Sequence, residues 1–408
     1  MGICTYGYAL FACRYPRECG SSRTSPSRRT TLRSVEPEFL EGVGLEDRTV
    51  EVLGLLEKQP ATVLYVTGTC GVGKSTLGMR VGQVFATQLG EPFWTIDLCH
   101  GTPASPLAQQ VARLLGKSAP GAREGRGVLL VDNVDEAVVG CGLLPWSTGL
   151  WSAALSEGIS PPRLVILTAT PRTSSSRVQS WDVSPLGVPT PPGRDLSVAV
   201  SDAGVLFLRA ARRAGAPWSL DERTYPIVAA LCHVATGVPE ALIELAQLSA
   251  RTPLEVLAAA SESQLAAFLD GAGSAYLARV RRRLAAMPDA VRELHVALSL
   301  VDGSVESEVG LALARTLAGI REGLLLWRDT VLAGLLVSAS ISGGLYFGMP
   351  KLIRAVAAEW LVDGDRGRQL REICGGLGVT SSSSWQGARL LSAVDDCEPG
   401  LRQAGATS

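Results

Sequence analysis

Gly68-Thr69-Cys70-Gly71-Val72-Gly73-Lys74-Ser75 fits the pattern G-x-x-x-x-G-K-[ST], a spacing suited to holding phosphate. The backbone N–H groups of such a turn converge on one anion, and the dipole of the helix that follows adds positive potential. Lys74 is placed to reach the β- and γ-phosphates. The Ser75 hydroxyl is placed on Mg²⁺, and Thr76 completes the binding set.

Two further stretches carry matching chemistry. Gly127-Val-Leu-Leu-Val131-Asp132-Asn133-Val134-Asp135-Glu136 puts an acid at the end of an apolar run, so Asp132 is the second candidate ligand for Mg²⁺. Asp135 or Glu136 either orients an attacking water or lies in a solvated turn. Arg163-Leu-Val-Ile-Leu-Thr168-Ala-Thr170-Pro-Arg172 is a third apolar run with a polar end. Thr168 or Thr170 is a candidate sensor of the γ-phosphate, and Arg172 is a candidate bidentate partner for it.

These groups must be presented by strands. Val63–Thr67, Phe93–Asp97, Val128–Asp132 and Leu164–Thr168 are short, β-rich apolar runs, with helical segments at Ser75–Gln88, Ser105–Gly116 and Ser147–Glu157. Alternation of this kind predicts an α/β fold with a parallel sheet, whose ligands bind at the carboxyl ends of the strands. Pro185 to Pro192 reads as a proline-rich connector. Asp195 to Leu265 is rich in Ala and Leu and predicts a helical lid domain. Residues 270–365 mix helices with one hairpin and predict a winged-helix-like unit. The expected organisation is a basic tail at 1–34, the P-loop α/β domain at 35–190, a helical domain at 191–265, a winged-helix-like domain at 266–365 and a helical stub or tail at 366–408.

Thr330 to Pro350 carries no charge and is long enough to span a bilayer. It alternates, however, as Val337-Ser-Ala-Ser-Ile341-Ser and then meets Gly343-Gly344, the signature of a hairpin turn rather than of a membrane helix. Net charge is −1, which excludes a chain that is basic throughout. Residues 1–34 hold six arginines and one acid, Glu18, and read as a disordered tail. Nine cysteines lack paired metal spacing, and one of them, Cys70, lies inside the phosphate loop. Free thiols and a reducing, cytoplasmic setting are expected. Three histidines leave no basis for a histidine-rich metal site. His233 reads as a packed helix residue, and Trp146 and Trp151 as core aromatics.

Taken in order, the motifs resemble the STAND class of P-loop ATPases, related to NB-ARC domains and to the ATPase modules of bacterial LuxR-type and SARP-type regulators. Val43-Gly44-Leu45-Glu46 resembles the family's first motif, near the adenine, with Leu45 in place of arginine. Leu-Val131-Asp132-Asn133-Val-Asp135 resembles its L-D-N-x-E strand, with Asp for Glu. Ala169-Thr170-Pro171-Arg172 resembles its T-S-R sensor. Trp181-Asp-Val-Ser-Pro185-Leu186-Gly-Val-Pro189 resembles its connector, and Gly237-Val238-Pro239-Glu240 its lid helix, whose proline packs at the nucleotide. Met349-Pro350-Lys351-Leu352-Ile353-Arg354 resembles its M-H-D-L-x-R stretch, with Pro350 where the family's histidine contacts ADP.

The resemblance implies ATP or ADP and Mg²⁺ as cofactors, slow hydrolysis, and a switch between an ADP-closed and an ATP-open state. It also implies a protein partner or self-association as the output. Two other readings stay open at this stage. One is a DNA-binding AAA-type regulator using the winged helix and the Arg281-Arg282-Arg283 cluster. The other is a non-hydrolysing scaffold, to which Asp135 and Pro350 point.

Overall fold

The computed structural model describes residues 43–59, 63–97, 127–133, 163–168, 178–189, 197–301, 303–341, 343–361 and 365–376. They form two units. One comprises described residues up to Thr67 and from Lys74 to Val183. The other comprises Gly68–Gly73 and the described residues from Ser184 onward.

In the first unit, α1 (Leu45–Lys58) leads into β1 (Val63–Thr67), and α2 (Lys74–Leu89) follows the phosphate loop. Then come β2 (Phe93–Asp97), β3 (Val128–Asp132), β4 (Leu164–Leu167) and β5 (Val178–Asp182). The strands form one parallel sheet in the order β2-β3-β4-β1-β5. β4 and β3 up to Val131 are apolar because both faces of a parallel sheet are covered; Val128, Leu130, Val131 and Ile166 have no exposed surface. The sheet is therefore the α/β arrangement expected from the alternating runs. β5 was not among the expected strands. It lies at the sheet edge, only half-buried, and Gln179 and Ser180 break the apolar signal that marks the central strands. The segments Ser105–Gly116 and Ser147–Glu157, with Trp146 and Trp151, lie outside the described residues.

The second unit contains the helices α3 (Ser197–Val200), α4 (Asp202–Arg213), α5 (Thr224–Val234), α6 (Pro239–Ser249), α7 (Leu254–Ala259), α8 (Glu262–Gly271), α9 (Ala275–Ala286) and α10 (Asp289–Ser299). β6 (Ser304–Glu306), α11 (Ser307–Ala318), α12 (Ile320–Leu332), β7 (Val337–Ile341), β8 (Gly344–Gly348), α13 (Lys351–Ala358) and α14 (Asp365–Gly376) complete it. Side-chain caps start several helices. Ser201 accepts the Gly204 N–H, and Ser261 with Gln264 forms a full capping box. Pro239 opens α6 at a first-turn position, where its missing N–H costs nothing.

The uncharged stretch at 330–350 holds the end of α12 and then the expected hairpin. β7 and β8 pair antiparallel, and β8 also pairs with the short β6, giving a three-stranded sheet β6-β8-β7. The turn differs in one detail. Gly343, at φ 85°, lies within it, while Gly344 already pairs with Ile341. No helix among the described residues is long and apolar enough to cross a membrane.

One hydrophobic core runs through the second unit, from Phe207 and Leu242 through Tyr276 and Leu294 to Trp327 and Ile353. Arg354 fixes α13 to α8, with Nη2 donating to both carboxylate oxygens of Glu262 at 2.7 and 2.8 Å.

Candidate functional site

The first unit assembles a small polar cluster at the carboxyl ends of its strands. β4 lies between β1 and β3, so the ends of β3 and β4 meet beside the start of α2. The Ser75 hydroxyl, in the first turn of α2, donates to Asp132 Oδ1 at 2.8 Å. The Thr168 hydroxyl, just past β4, donates to the same oxygen. The Asn133 N–H lies 3.0 Å from that oxygen and 2.9 Å from Thr168 Oγ1. Asn133 takes a left-handed φ of 58° and donates its side-chain amide to Asp97 Oδ1 at 2.6 Å.

Ser75 and Asp132, the two residues expected to hold Mg²⁺, are thus in direct contact. A hydroxyl and a carboxylate side by side are hard oxygen donors of the kind this ion takes. Among the described residues no group of three or more His, Cys, Asp or Glu is placed to hold a metal. The sequence reading offered Thr168 or Thr170 as a γ-phosphate sensor; Thr168 hydrogen-bonds Asp132, and Thr170 is not described. It missed Asp97. The available signal was that β2, like β3, ends in Asp, and the two acids are register partners. Asp135, Glu136, Thr170 and Arg172 lie outside the described residues.

The glycine-rich half of the loop, Gly68–Gly73, belongs with the second unit. Cys70 N–H donates to the Gly334 carbonyl at 2.9 Å, and the Thr69 hydroxyl donates to the same carbonyl at 3.3 Å. The Gly71 carbonyl accepts the Glu240 N–H at 3.2 Å, so the first turn of α6, next to Pro239, sits against the loop. Gly71 has φ 79°, and a Cβ there would lie 2.9 Å from the Tyr276 ring, so only glycine fits. Val72 is buried, and its N–H returns to Thr69 O at 3.3 Å, closing the turn. Cys70 is buried and is a free thiol, as are Cys232 and Cys374.

The connector and the lid motif also meet. The Gly237 carbonyl accepts the Leu186 N–H at 2.9 Å, and a Cβ on Gly237 would strike Leu186 O. Lys351 N–H, directly after Pro350, lies 3.4 Å from Thr236 Oγ1. His233 Nε2 hydrogen-bonds the Pro189 carbonyl at 2.7 Å, and burial lowers its pKa; it is a packing residue, as read from sequence. Of the arginine cluster, Arg281 is gripped by Asp270 at 2.5 Å and Glu359 at 2.7 Å, which together hold its pKa above the ordinary arginine value. Val43 and Gly44 precede α1, and Gly44 caps it in a left-handed conformation.

No protein-family profile matches this chain. It is 26% identical over 235 residues to uncharacterized proteins of Mycobacterium bovis and of two strains of Mycobacterium tuberculosis. The match covers 53% of this chain and 53% of each relative, so the chain spans about half the length of the curated relatives it matches. Among solved structures it is similar to Caenorhabditis elegans PCH-2, at 13% identity and TM-score 0.32, covering 51% of this chain and 63% of that one. It is similar to Drosophila ORC bound to DNA, at 14% identity and TM-score 0.29, covering 83% and 96%. It is also similar to Cdc6p of Pyrobaculum aerophilum, at 14% identity and TM-score 0.34, covering 81% and 97%. Likeness at that level says nothing about function.

Proposed function

We propose that this chain is a nucleotide-switched regulatory ATPase of the STAND type. The observation that carries the reading is the 2.8 Å contact between Ser75, directly after the phosphate-loop lysine, and Asp132, at the end of a buried strand. A glycine-rich loop, a lysine, and a hydroxyl–carboxylate pair are the parts a nucleoside triphosphate with Mg²⁺ requires. When bound, Mg²⁺ would neutralise charge developing on the transferred phosphoryl group. Lys74 would pair with the outer phosphates, and Thr168 and Asn133 hold Asp132 in its orientation. ADP would favour a closed arrangement and ATP an open one that engages a protein partner or a second copy. Arg172 and Asp135 stay proposed as γ-phosphate partner and water-positioning acid, and Val43, Gly44 and Pro239 as further nucleotide contacts. The free thiols suit a reducing, cytoplasmic setting.

The DNA-binding reading draws less support, because Arg281 is already compensated by Asp270 and Glu359. The test of hydrolysis is phosphate release under multiple turnover. Wild type is expected to exceed Asp132→Ala by about 100-fold or more, given the several kcal/mol a positioned metal contributes. Equal release from the two would leave a scaffold that binds nucleotide without cleaving it.

A further inference from the structure

The phosphate loop is gripped from one turn, and that grip has the form of a latch. Gly334 lies between α12 and β7 at φ 68°, where glycine ends a helix without strain. Its N–H returns to Val331 O, and the following Leu335 and Leu336 are buried in the core, so the turn is firmly based. Its carbonyl is the acceptor for both Cys70 N–H and the Thr69 hydroxyl. A Cβ on Gly334 would lie 3.3 Å from Arg283 Nη2 and 3.6 Å from Gly68 O, so the turn fits between an arginine and the first loop residue.

A carbonyl oxygen carries partial negative charge. Seated on an amide of a phosphate loop, it competes with phosphate oxygens for that loop's donors. A second, independent observation is an unsatisfied core next to the grip. Beside the loop, the Tyr276 hydroxyl is buried with no hydrogen-bond partner among the described residues, within electrostatic reach of Cys70, Glu240 and Arg279. His295 Nε2, fully buried and within reach of Arg283, also lacks a partner. Unpartnered polar atoms in a native interior mark stored cost, which opening to water would release.

We propose that the Gly334 turn is an intramolecular latch on the phosphate loop, closed when the loop carries no γ-phosphate and released when a nucleoside triphosphate draws the loop's donors onto its phosphates. This rests on the nucleotide-switch reading and gives it a contact in place of the histidine that Pro350 lacks.

Hydrogen–deuterium exchange on the full chain tests it, in the absence of nucleotide, with Mg²⁺ and ADP, and with Mg²⁺ and ATPγS. The triphosphate analogue is expected to speed exchange across residues 333–341 and at the loop amides by about 10-fold over ADP, as local opening does. Gly334→Ala, strained at its φ, is expected to speed Cys70 exchange without nucleotide. Thr69→Val, which removes only the hydroxyl donor, is expected to do so more weakly and serves if the first variant does not fold. Unchanged exchange with fluorescence anisotropy showing the analogue bound overturns the latch alone. No binding of either nucleotide overturns the nucleotide reading and the latch with it.

Discussion

The two ends of the phosphate loop have contrasting surroundings. After Lys74, in the first unit, the side chains of the cluster are tied to one another. Asp132 accepts from Ser75, Thr168 and the Asn133 N–H, and Asn133 donates to Asp97. Before Lys74, in the second unit, the loop leans on backbone contacts to Gly334 and Glu240, next to a core that leaves Tyr276 and His295 unsatisfied. A connected polar network holds its members pre-organised, as the metal-binding end of a site needs to be. A core with unpaired polar atoms carries a cost that another arrangement would relieve. Under the proposed switch, the contrast would separate a fixed chemical end from a movable regulatory end.

The largest effect expected from this contrast concerns pH. Burial, with Arg283 nearby, lowers the His295 pKa from 6.5 to about 4, although its Nδ1 hydrogen-bonds Val291 O. The unfolded chain therefore takes up the proton first. Stability from neutral His295 is present above about pH 6.5 and is lost as pH falls toward 4, by about 3 kcal/mol. Urea titrations of wild type and His295→Leu at pH 7 and pH 4.5 isolate this contribution from that of the carboxylates. Identical pH dependence in both proteins would remove His295 from the movable end.

Next in size is Thr168→Val, which takes a donor from Asp132 and an acceptor from the Asn133 N–H. It is expected to cost about 2 kcal/mol of stability and to weaken Mg²⁺-dependent nucleotide binding. A neutral result would mean that the first-unit cluster is less tightly tied than its geometry indicates. The smallest effect is expected from Tyr276→Phe. Removing a buried hydroxyl that has no partner should leave stability unchanged or raise it by about 1 kcal/mol. A loss of more than that in a thermal melt would show that the hydroxyl is paired in solution.

Part of the first-unit cluster was legible in the sequence, although Asp97 was missed. An apolar run closing on Asp132 or Thr168, and a glycine loop closing on Ser75, announce their place by local pattern alone. The strands β1 to β4 were legible for the same reason. β5 was hidden, since an edge strand with one wet face carries a broken apolar signal. The grip on the loop was hidden for a different reason. Gly334 lies 265 residues from Thr69, and a backbone carbonyl is common to every residue, so no side-chain pattern marks it. Tyr276 likewise reads as one more apolar position in α9 until its ring is found against Gly71.

The most direct measurement is equilibrium binding of radiolabelled ATP with Mg²⁺ to wild type and to Lys74→Ala, both checked for folding by circular dichroism. Saturable binding by wild type, weakened at least 10-fold in Lys74→Ala, is expected, since a charge-assisted bond to phosphate is worth about 1.5–3 kcal/mol. Equal affinity in the two proteins, or no binding by wild type, would contradict a nucleotide-switched function.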